Sequence, residues 1–482
     1  MCVKYIILRN ALSLYEKYDL ICLIFGTFTE RRLVMRKFVK NQIIELLATI
    51  KDGISYVSSA RKNNKKQAVN LLNDCFGAFE HVKATVTTNL KKDRVLGYEK
   101  VIDDILNGIK LLIGNVSNTK KYDEYLDKLN LSILSFEKML TDEPIRTEVV
   151  FLPYKASMWD SLESVWKAAD EDENCDAYVI PIPYYDRNPD GSLREEHYEG
   201  SEFPKYVPIT RYDGYDFEKR KPDMIFIHNP YDGGNFVTTV HPYFYSDKLK
   251  KFTEKLVYIP YFVLEEPDPE DEKAVENISH FCTASGVINA DQVIVQSENM
   301  RQVYIKVLYE LGKEHGIKKE YWENKIVGSG SPKFDKVLGT KREDVDIPVE
   351  WMKIIKKPDG NLKKVIFYNT GLTALLEHKE KMIEKIRTVL KSFEENKDEI
   401  ALLWRPHPLI PATINSMRPQ LKDEYEKIVN DYKDAAWGIF DDTADNDRPI
   451  IISDAYYGDS SSMVTLYKKT GKPIMIQNVD IL

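Results

Sequence analysis

A chain of 482 residues with 43% hydrophobic and 11% aromatic side chains has room for two or three domains with apolar cores. Its formal charge of −8 argues against a general nucleic-acid binder, because phosphate backbones are held by a surplus of Lys and Arg. The five cysteines (Cys2, Cys22, Cys75, Cys175 and Cys282) are scattered and never form a CxxC pair, so neither a disulfide framework nor a cysteine zinc site is indicated and a reducing cytoplasm is the expected setting.

The apolar patches Tyr5 to Leu8 and Leu20 to Phe28 are short and fall below the ~20 residues that span a bilayer. Arg31 to Lys40 carries five basic residues and no acid, which suits an anionic membrane surface, although a simply solvated charge run gives the same letters. Helical periodicity becomes clean only after Met35, so residues 1–34 read as a candidate upstream extension with Met35 as an alternative start.

From Arg36 to about Leu140 apolar residues recur at helical spacing: Ile43, Leu47 and Ile50, then Leu72, Phe76 and Phe79, then Val101, Ile105, Ile109 and Leu112, then Leu126, Leu129, Ile133 and Phe136. Polar breaks at Lys62-Asn63-Asn64, Lys91-Lys92-Asp93 and Gly114 to Asn118 divide this into four helices. No catalytic cluster lies within it, so residues 1–145 are expected to be a helical docking module.

After Pro144 the period changes. Val149 to Leu152, a helix over Ser157 to Ala169 and Ala177 to Ile180 make a βαβ unit, and strands are predicted at Met224 to Ile227, Leu256 to Ile259 and Gln292 to Val295. Gly328-Ser329-Gly330-Ser331-Pro332 punctuates the chain. A second series then runs through strands at Lys364 to Tyr368, Ala401 to Trp404, Trp437 to Phe440, Pro449 to Ile452 and Pro473 to Ile476, with helices near 379–395 and 421–432. Two Rossmann-like α/β domains, 146–330 and 331–482, are therefore expected. Neither contains GxGxxG or a Walker A sequence, so neither a nicotinamide cofactor nor an ATP P-loop is expected.

Two segments past strand-like runs carry the chemistry: Arg405-Pro406-His407-Pro408 and Asp459-Ser460-Ser461-Ser462. Open α/β sheets bind ligands outside the carboxyl ends of their strands. The serines precede a helix-compatible run, Met463 to Lys469, where unpaired N–H groups favour an anion, and Arg405 offers a planar fork of donors. Together Arg405, His407, Ser460, Ser461 and Ser462 read as a phosphate site. A ligand-free N-cap and a surface turn are the plainer alternatives. The adjacent Asp441-Asp442 pair has the wrong spacing for a DxD metal site and suits a turn.

Gly330-Ser331-Pro332-Lys333-Phe334-Asp335, Arg405-Pro406-His407-Pro408, Ile452-Ser453-Asp454 through Ser462, and Lys472-Pro473-Ile474-Met475 follow one another in an order that resembles the CDP-glycerol glycerophosphotransferases of teichoic acid and related polymer synthesis. The resemblance covers the carboxyl-terminal α/β domain best. It implies a GT-B-like pair of facing domains with the donor held by 331–482, peripheral association with the inner face of a bacterial membrane, and transfer of glycerol phosphate from CDP-glycerol to a polymer or lipid-linked acceptor with release of CMP. A nucleotide-sugar glycosyltransferase or epimerase of the same build, and a non-catalytic binding protein that keeps the fold, are the alternatives. Ala455 to Gly458 interrupts the family's Asp-Tyr-Ser-Ser, and its aromatic-His-Gly motif is missing. The chain ends soon after its last predicted strand, where a GT-B fold has a closing helix. In-line attack on phosphorus needs a base, and His228 and His241 are the amino-domain candidates, with His241 favoured because Asp232-Gly233-Gly234-Asn235 reads as a mobile loop. His407 is the third catalytic candidate. Glu265 and Glu266, in an acidic run, could orient an acceptor hydroxyl, although a solvated acidic loop is the plainer and favoured explanation. This chemistry requires neither metal nor cofactor.

Overall fold

The computed structural model describes residues 34–477 except 189, 236 and 444, and for Ser416 the backbone alone. The apolar patches before residue 30, Cys2, Cys22, Arg31, Arg32, Leu33 and residues 478–482 lie outside the described residues. The chain forms two compact units. The first runs to Val149 and includes Asp172–Asp176 and Lys221–Asp223; the second comprises Val150–Glu171, Ala177–Arg220 and the chain from Met224 onward.

The first unit is built on four helices, α1 (Lys37–Ala60), α2 (Lys65–Asn89), α3 (Lys92–Gly114) and α4 (Thr119–Thr141). Each is amphipathic. In α1 the buried positions Ile43, Leu47, Ile50, Ile54 and Val57 follow steps of four and three, so one stripe faces the core. Phe136 is the centre of that core, edge-on to Phe79 (6.3 Å) and Tyr98 (5.6 Å). Asn64 and Asn118, in two of the expected breaks, are N-caps whose side chains accept the N–H of Gln67 (3.0 Å) and Lys121 (3.2 Å). Lys40, part of the basic run, donates to the carbonyls of Thr141 (2.8 Å) and Glu143 (3.0 Å), while Arg36 pairs with Glu148 at 3.4 Å. These two charges thus have partners inside the unit. A short strand β1 (Met35–Arg36) precedes α1 and pairs in parallel with the start of β2 (Ile145–Leu152), which follows α4.

The second unit is α/β. Its further strands are β3 (Cys175–Val179), β4 (Tyr184–Arg187), β5 (Leu193–His197), β6 (Met224–Ile227), β7 (Thr238–Val240), β8 (Lys255–Tyr258), β9 (Gln292–Ile294), β10 (Ile326–Val327), β11 (Lys364–Thr370), β12 (Ile400–Pro406), β13 (Ile439–Phe440), β14 (Ala455–Gly458) and β15 (Ile474–Ile476). One sheet has the order β2-β6-β8-β9-β10, with β3 also against β2; a second has the order β13-β12-β11-β14-β15. The pairs β6–β8, β8–β9 and β9–β10 are parallel, as is every pair of the second sheet. These strands are short and almost continuously apolar, as strands covered on both faces must be. A small antiparallel sheet, β5-β4-β7, was not foreseen. The expected architecture, a helical region followed by α/β structure with two parallel sheets, is the observed one.

One expected strand is a helix. Pro449 to Ile452 reads as a β-branched run, yet Asp447–Ile452 is helical and the strand begins at Ala455. Asp445 is the reason at one end, its Oδ1 accepting the N–H of Asp447 and of Arg448, both at 3.0 Å. At the other end Lys472 Nζ donates to the carbonyls of Ile450, Ile451 and Ser453 at 2.7–2.9 Å. Local capping outweighs the strand propensity of three isoleucines.

No helix among the described residues is long and apolar enough to cross a membrane.

Candidate functional site

In the second sheet the strand order reverses between β11 and β14, and the carboxyl ends of these strands flank the crevice where open α/β sheets bind ligands. Three chain segments meet there. The N–H of Asp459 donates to Asn369 O (3.0 Å) and that of His407 to Thr370 O (2.9 Å), so the segments after β14 and β12 grip the end of β11 from opposite sides. Gly458 makes this approach possible: its φ is +134°, and a Cβ there would lie 2.2 Å from Asn369 O.

Asp459 is buried and fastens the crossing. Its Oδ2 accepts the N–H of Gly371 (2.6 Å) and its Oδ1 the Nζ of Lys385 (2.5 Å), an ammonium with no solvent exposure that also donates to Gln477 O. Lys385 lies on a helix, Glu380–Glu394, whose other buried residues are Met382, Ile383, Ile386, Val389 and Leu390. It neutralises Asp459, so the serine loop presents no uncompensated negative charge to an anion. A lysine in register with an apolar helix face was the sequence signal for this residue, and it was missed.

Ser461 is the N-cap of the helix Ser462–Lys469; its Oγ donates to Asn369 Oδ1 (2.9 Å) and accepts the N–H of Met463 (3.3 Å). Ser461 thus has structural work whether or not a ligand binds. Ser460 and Ser462 on either side are exposed.

Arg405 does not play the part expected of it. It is 4% exposed, its guanidinium bonds Asp441 Oδ2 (2.5 Å), Thr443 O (2.9 Å) and Asn446 Oδ1 (2.8 Å), and so the fork is filled by protein acceptors. Asp441 is equally committed, its Oδ1 accepting the N–H (3.0 Å) and Oγ1 (2.7 Å) of Thr443, in the turn role expected of it. Their ion pair shapes one wall of a cavity of about 420 Å³, lined also by His407, Pro408, Tyr425, Lys433 and Phe440. His407 is half-buried, and burial lowers its pKa from 6.5, keeping the ring neutral. Its Nδ1 accepts the N–H of Leu409 (3.2 Å), which assigns the ring proton to Nε2 and makes that atom a donor.

His228 is fully buried at the end of β6, with both nitrogens engaged. Nε2 accepts the N–H of Tyr154 (3.1 Å), and Nδ1–H is therefore the donor to Ser161 Oγ (2.9 Å), which in turn donates to Met158 O (2.7 Å). Burial, reinforced by the Lys333 ammonium, pushes its pKa down to about 3. His228 is a neutral structural bracket between β6 and the loop after β2, not an open base.

His241 follows β7 on the antiparallel sheet, partly exposed, with Nδ1 accepting the N–H of Tyr243 (3.2 Å). Several contacts hold the loop before it. Asp232, at φ +47°, accepts from Ser246 N (2.9 Å) and Oγ (2.5 Å), and Arg187 donates to the carbonyls of Gly233 (2.5 Å) and Asn235 (2.9 Å). Glu265 and Glu266 are exposed; Glu265 lies 3.3 Å from Lys468 of the serine-capped helix, and Glu266 3.4 Å from Gln296. Among the described residues one set, Asp186, Glu195 and His197 on the β4–β5 hairpin, brings three possible metal-ligand atoms within 4.8 Å of one another, but Arg194 already pairs with Asp186 at 2.8 Å.

No protein-family model matches the chain, and no curated protein matches it by sequence. Among solved structures it is similar to the S. aureus MnaA–UDP co-structure (13% identity, TM-score 0.39, covering 68% of this chain and 78% of that one). It is similar also to UDP-GlcNAc 2-epimerase from Neisseria meningitidis bound to UDP-GlcNAc (10%, 0.38, 68% and 82%) and to the wall teichoic acid polymerase TagF (14%, 0.36, 78% and 78%). Likeness of this degree bears on neither activity nor ligand.

Proposed function

We propose that this chain is a phosphotransferase that moves glycerol phosphate, or a related alditol phosphate, from a CDP-linked donor to an acceptor hydroxyl of a surface polymer, releasing CMP. The observation that carries the reading is the convergence at the end of β11 of the His407 segment from one side and the Ser460–Ser462 segment from the other. Two strand spacings, roughly 10 Å, separate segments bonded to opposite sides of one strand, a span that suits a nucleoside diphosphate. The order of motifs that resembles the CDP-glycerol glycerophosphotransferases favours this donor over a nucleotide sugar.

In this reading the donor phosphates lie against the exposed hydroxyls of Ser460 and Ser462 and the N–H groups that open the Ser462–Lys469 helix. His407, neutral with its proton on Nε2, donates to a phosphoryl oxygen, a contact that strengthens as charge develops there. The acceptor oxygen attacks the phosphorus of glycerol phosphate, the P–O bond to CMP breaks, and the acceptor's proton passes to a base. His241 is the proposed base; to serve, it must exchange its Tyr243 contact for a proton on Nδ1 so that Nε2 can accept. Glu265, 3.3 Å from Lys468, is the proposed orienter of the acceptor hydroxyl.

The test is incubation of the purified chain with CDP-glycerol, other CDP-alditols and UDP-sugars, following the nucleotide released. CMP from a CDP-alditol supports the reading, and UDP release from a UDP-sugar replaces it with a glycosyltransferase or epimerase. His407→Ala should lower kcat by about a hundredfold with little change in KM, as expected of a contact made chiefly in the transition state. Absence of turnover together with absence of thermal stabilisation by any nucleotide would leave a non-catalytic binding protein.

A further inference from the structure

The two parallel sheets of the second unit meet along a seam that no part of the proposed chemistry uses. Lys333 and Lys336, on the helix Pro332–Gly339, face the 3-10 turn Ala156–Ser161 and the helix Glu163–Glu171. Lys333 Nζ bonds Asp160 Oδ2, Lys336 pairs with Glu163 at 2.9 Å, and Ser164 Oγ donates to Asp335 Oδ2 at 2.7 Å. A fourth carboxyl, that of Asp447 at the start of the helix Asp447–Ile452, is buried beside this set.

The charges at the centre do not balance. Asp160, Lys333 and Asp447 are 7%, 7% and 8% exposed, so two carboxyls share one ammonium away from water. Each carboxyl also keeps one oxygen, Asp160 Oδ1 and Asp447 Oδ1, that is buried without a hydrogen-bond partner. Lys336 is held by Glu163, itself also 2.7 Å from Lys167, and Arg448 turns to Asp445 at 3.3 Å. Asp445 adds negative charge to the surroundings of Asp447. From β11, which also packs on this helix, the buried side chains near its start are apolar, Val365 and Phe367, and Lys364 pairs with Asp454 at 3.2 Å. An uncompensated buried carboxylate is costly, and the least expensive remedy is to neutralise it.

We propose that the seam between the two sheets is closed by a proton carried on Asp447, and that it opens as that proton leaves. Desolvation, with Asp160 adding to it, raises the Asp447 carboxyl from 3.8 to about 7, so the closed form weakens from about pH 4 upward and the last part of that loss falls in the physiological range. A carboxyl whose folded value is raised favours the closed form while protonated and penalises it progressively as pH rises through the folded value. Between pH 6 and pH 8.5 the closed form should lose about tenfold in its equilibrium against an open form in which Asp447 titrates normally, with little further change above pH 8.5.

Hydrogen exchange of the full chain, corrected for the intrinsic rate, reads this directly. Amides of Ala156–Ser161 and Pro332–Gly339 should lose about tenfold in protection from pH 6 to pH 8.5, while those of the four-helix unit stay constant. Asp447→Asn should abolish the loss and protect the seam better than the natural residue at pH 8.5. Asp160→Asn, which leaves Lys333 to Asp447 alone, should shift the loss to lower pH or remove it. Seam protection that is flat with pH in the natural chain, or that falls equally in the Asp447→Asn protein, would overturn the proposal. So would a loss at pH 8.5 that follows the identity of the monovalent cation at fixed ionic strength, since an ion and not a proton would then fill the gap.

Discussion

Lys385→Met tests whether the buried pair under the serine loop holds that loop in place. Lys385 has no exposed side-chain surface and Asp459 7%, and the substitution leaves a carboxylate buried with only the N–H of Gly371 for company. Breaking a buried pair by removing one partner costs about 3–5 kcal/mol; because the Gly371 contact survives, the low end, about 3 kcal/mol, is expected. The six tryptophans all lie between Trp159 and Trp437, in the second unit, so their fluorescence during urea unfolding reports on that unit selectively. With a slope of about 3 kcal/mol per molar urea, the midpoint should fall by about 1 M. Adding Asp459→Asn should recover part of the loss, since removing both charges is cheaper than stranding one. A midpoint shift below about 0.3 M, or a double variant as unstable as the two single losses summed, would refute the reasoning.

Two further expectations concern the same unit. His228 stays neutral in the fold down to about pH 3 but takes a proton in the unfolded chain below its ordinary 6.5, so stability should decline as pH falls from 6.5 toward 3. His228→Gln should flatten that decline between pH 7.5 and 4.5 by the same fluorescence measurement, and equal slopes would show that His228 does not cause it. Gly458→Ala forces a Cβ against Asn369 O at a φ of +134° and should cost about 2–4 kcal/mol; a thermal midpoint unchanged from the natural chain would mean that β14 can back away from β11.

The parts of this chain that periodicity governs were legible in the sequence. The four helices, their polar breaks and the alternation of strands and helices follow from spacing and turn chemistry, which are local. The site was legible only as segments. Arg405 has the residue type of a phosphate ligand, but a guanidinium goes to whichever acceptors the fold brings near, and Asp441, Thr443 and Asn446 are 36–41 residues away in sequence. His228 looked like a base because it follows a strand; its burial is set by Tyr154 and Ser161, 74 and 67 residues away. Lys333 lies within one of the motifs and Lys385 within an expected helix, yet spacing gives no means of assigning their partners Asp160 and Asp459.

The four helices follow β1, which ends at Arg36, and precede β2, which begins at Ile145; β1 and β2 pair in register at those points, so the two ends of the helical run lie within roughly 6 Å of each other. The even number of helices makes this possible. A 24-residue helix such as α1 is about 36 Å long, so a chain that folds back at each turn returns to its starting side only after two or four of them. Three or five would strand it a full helix length from β2.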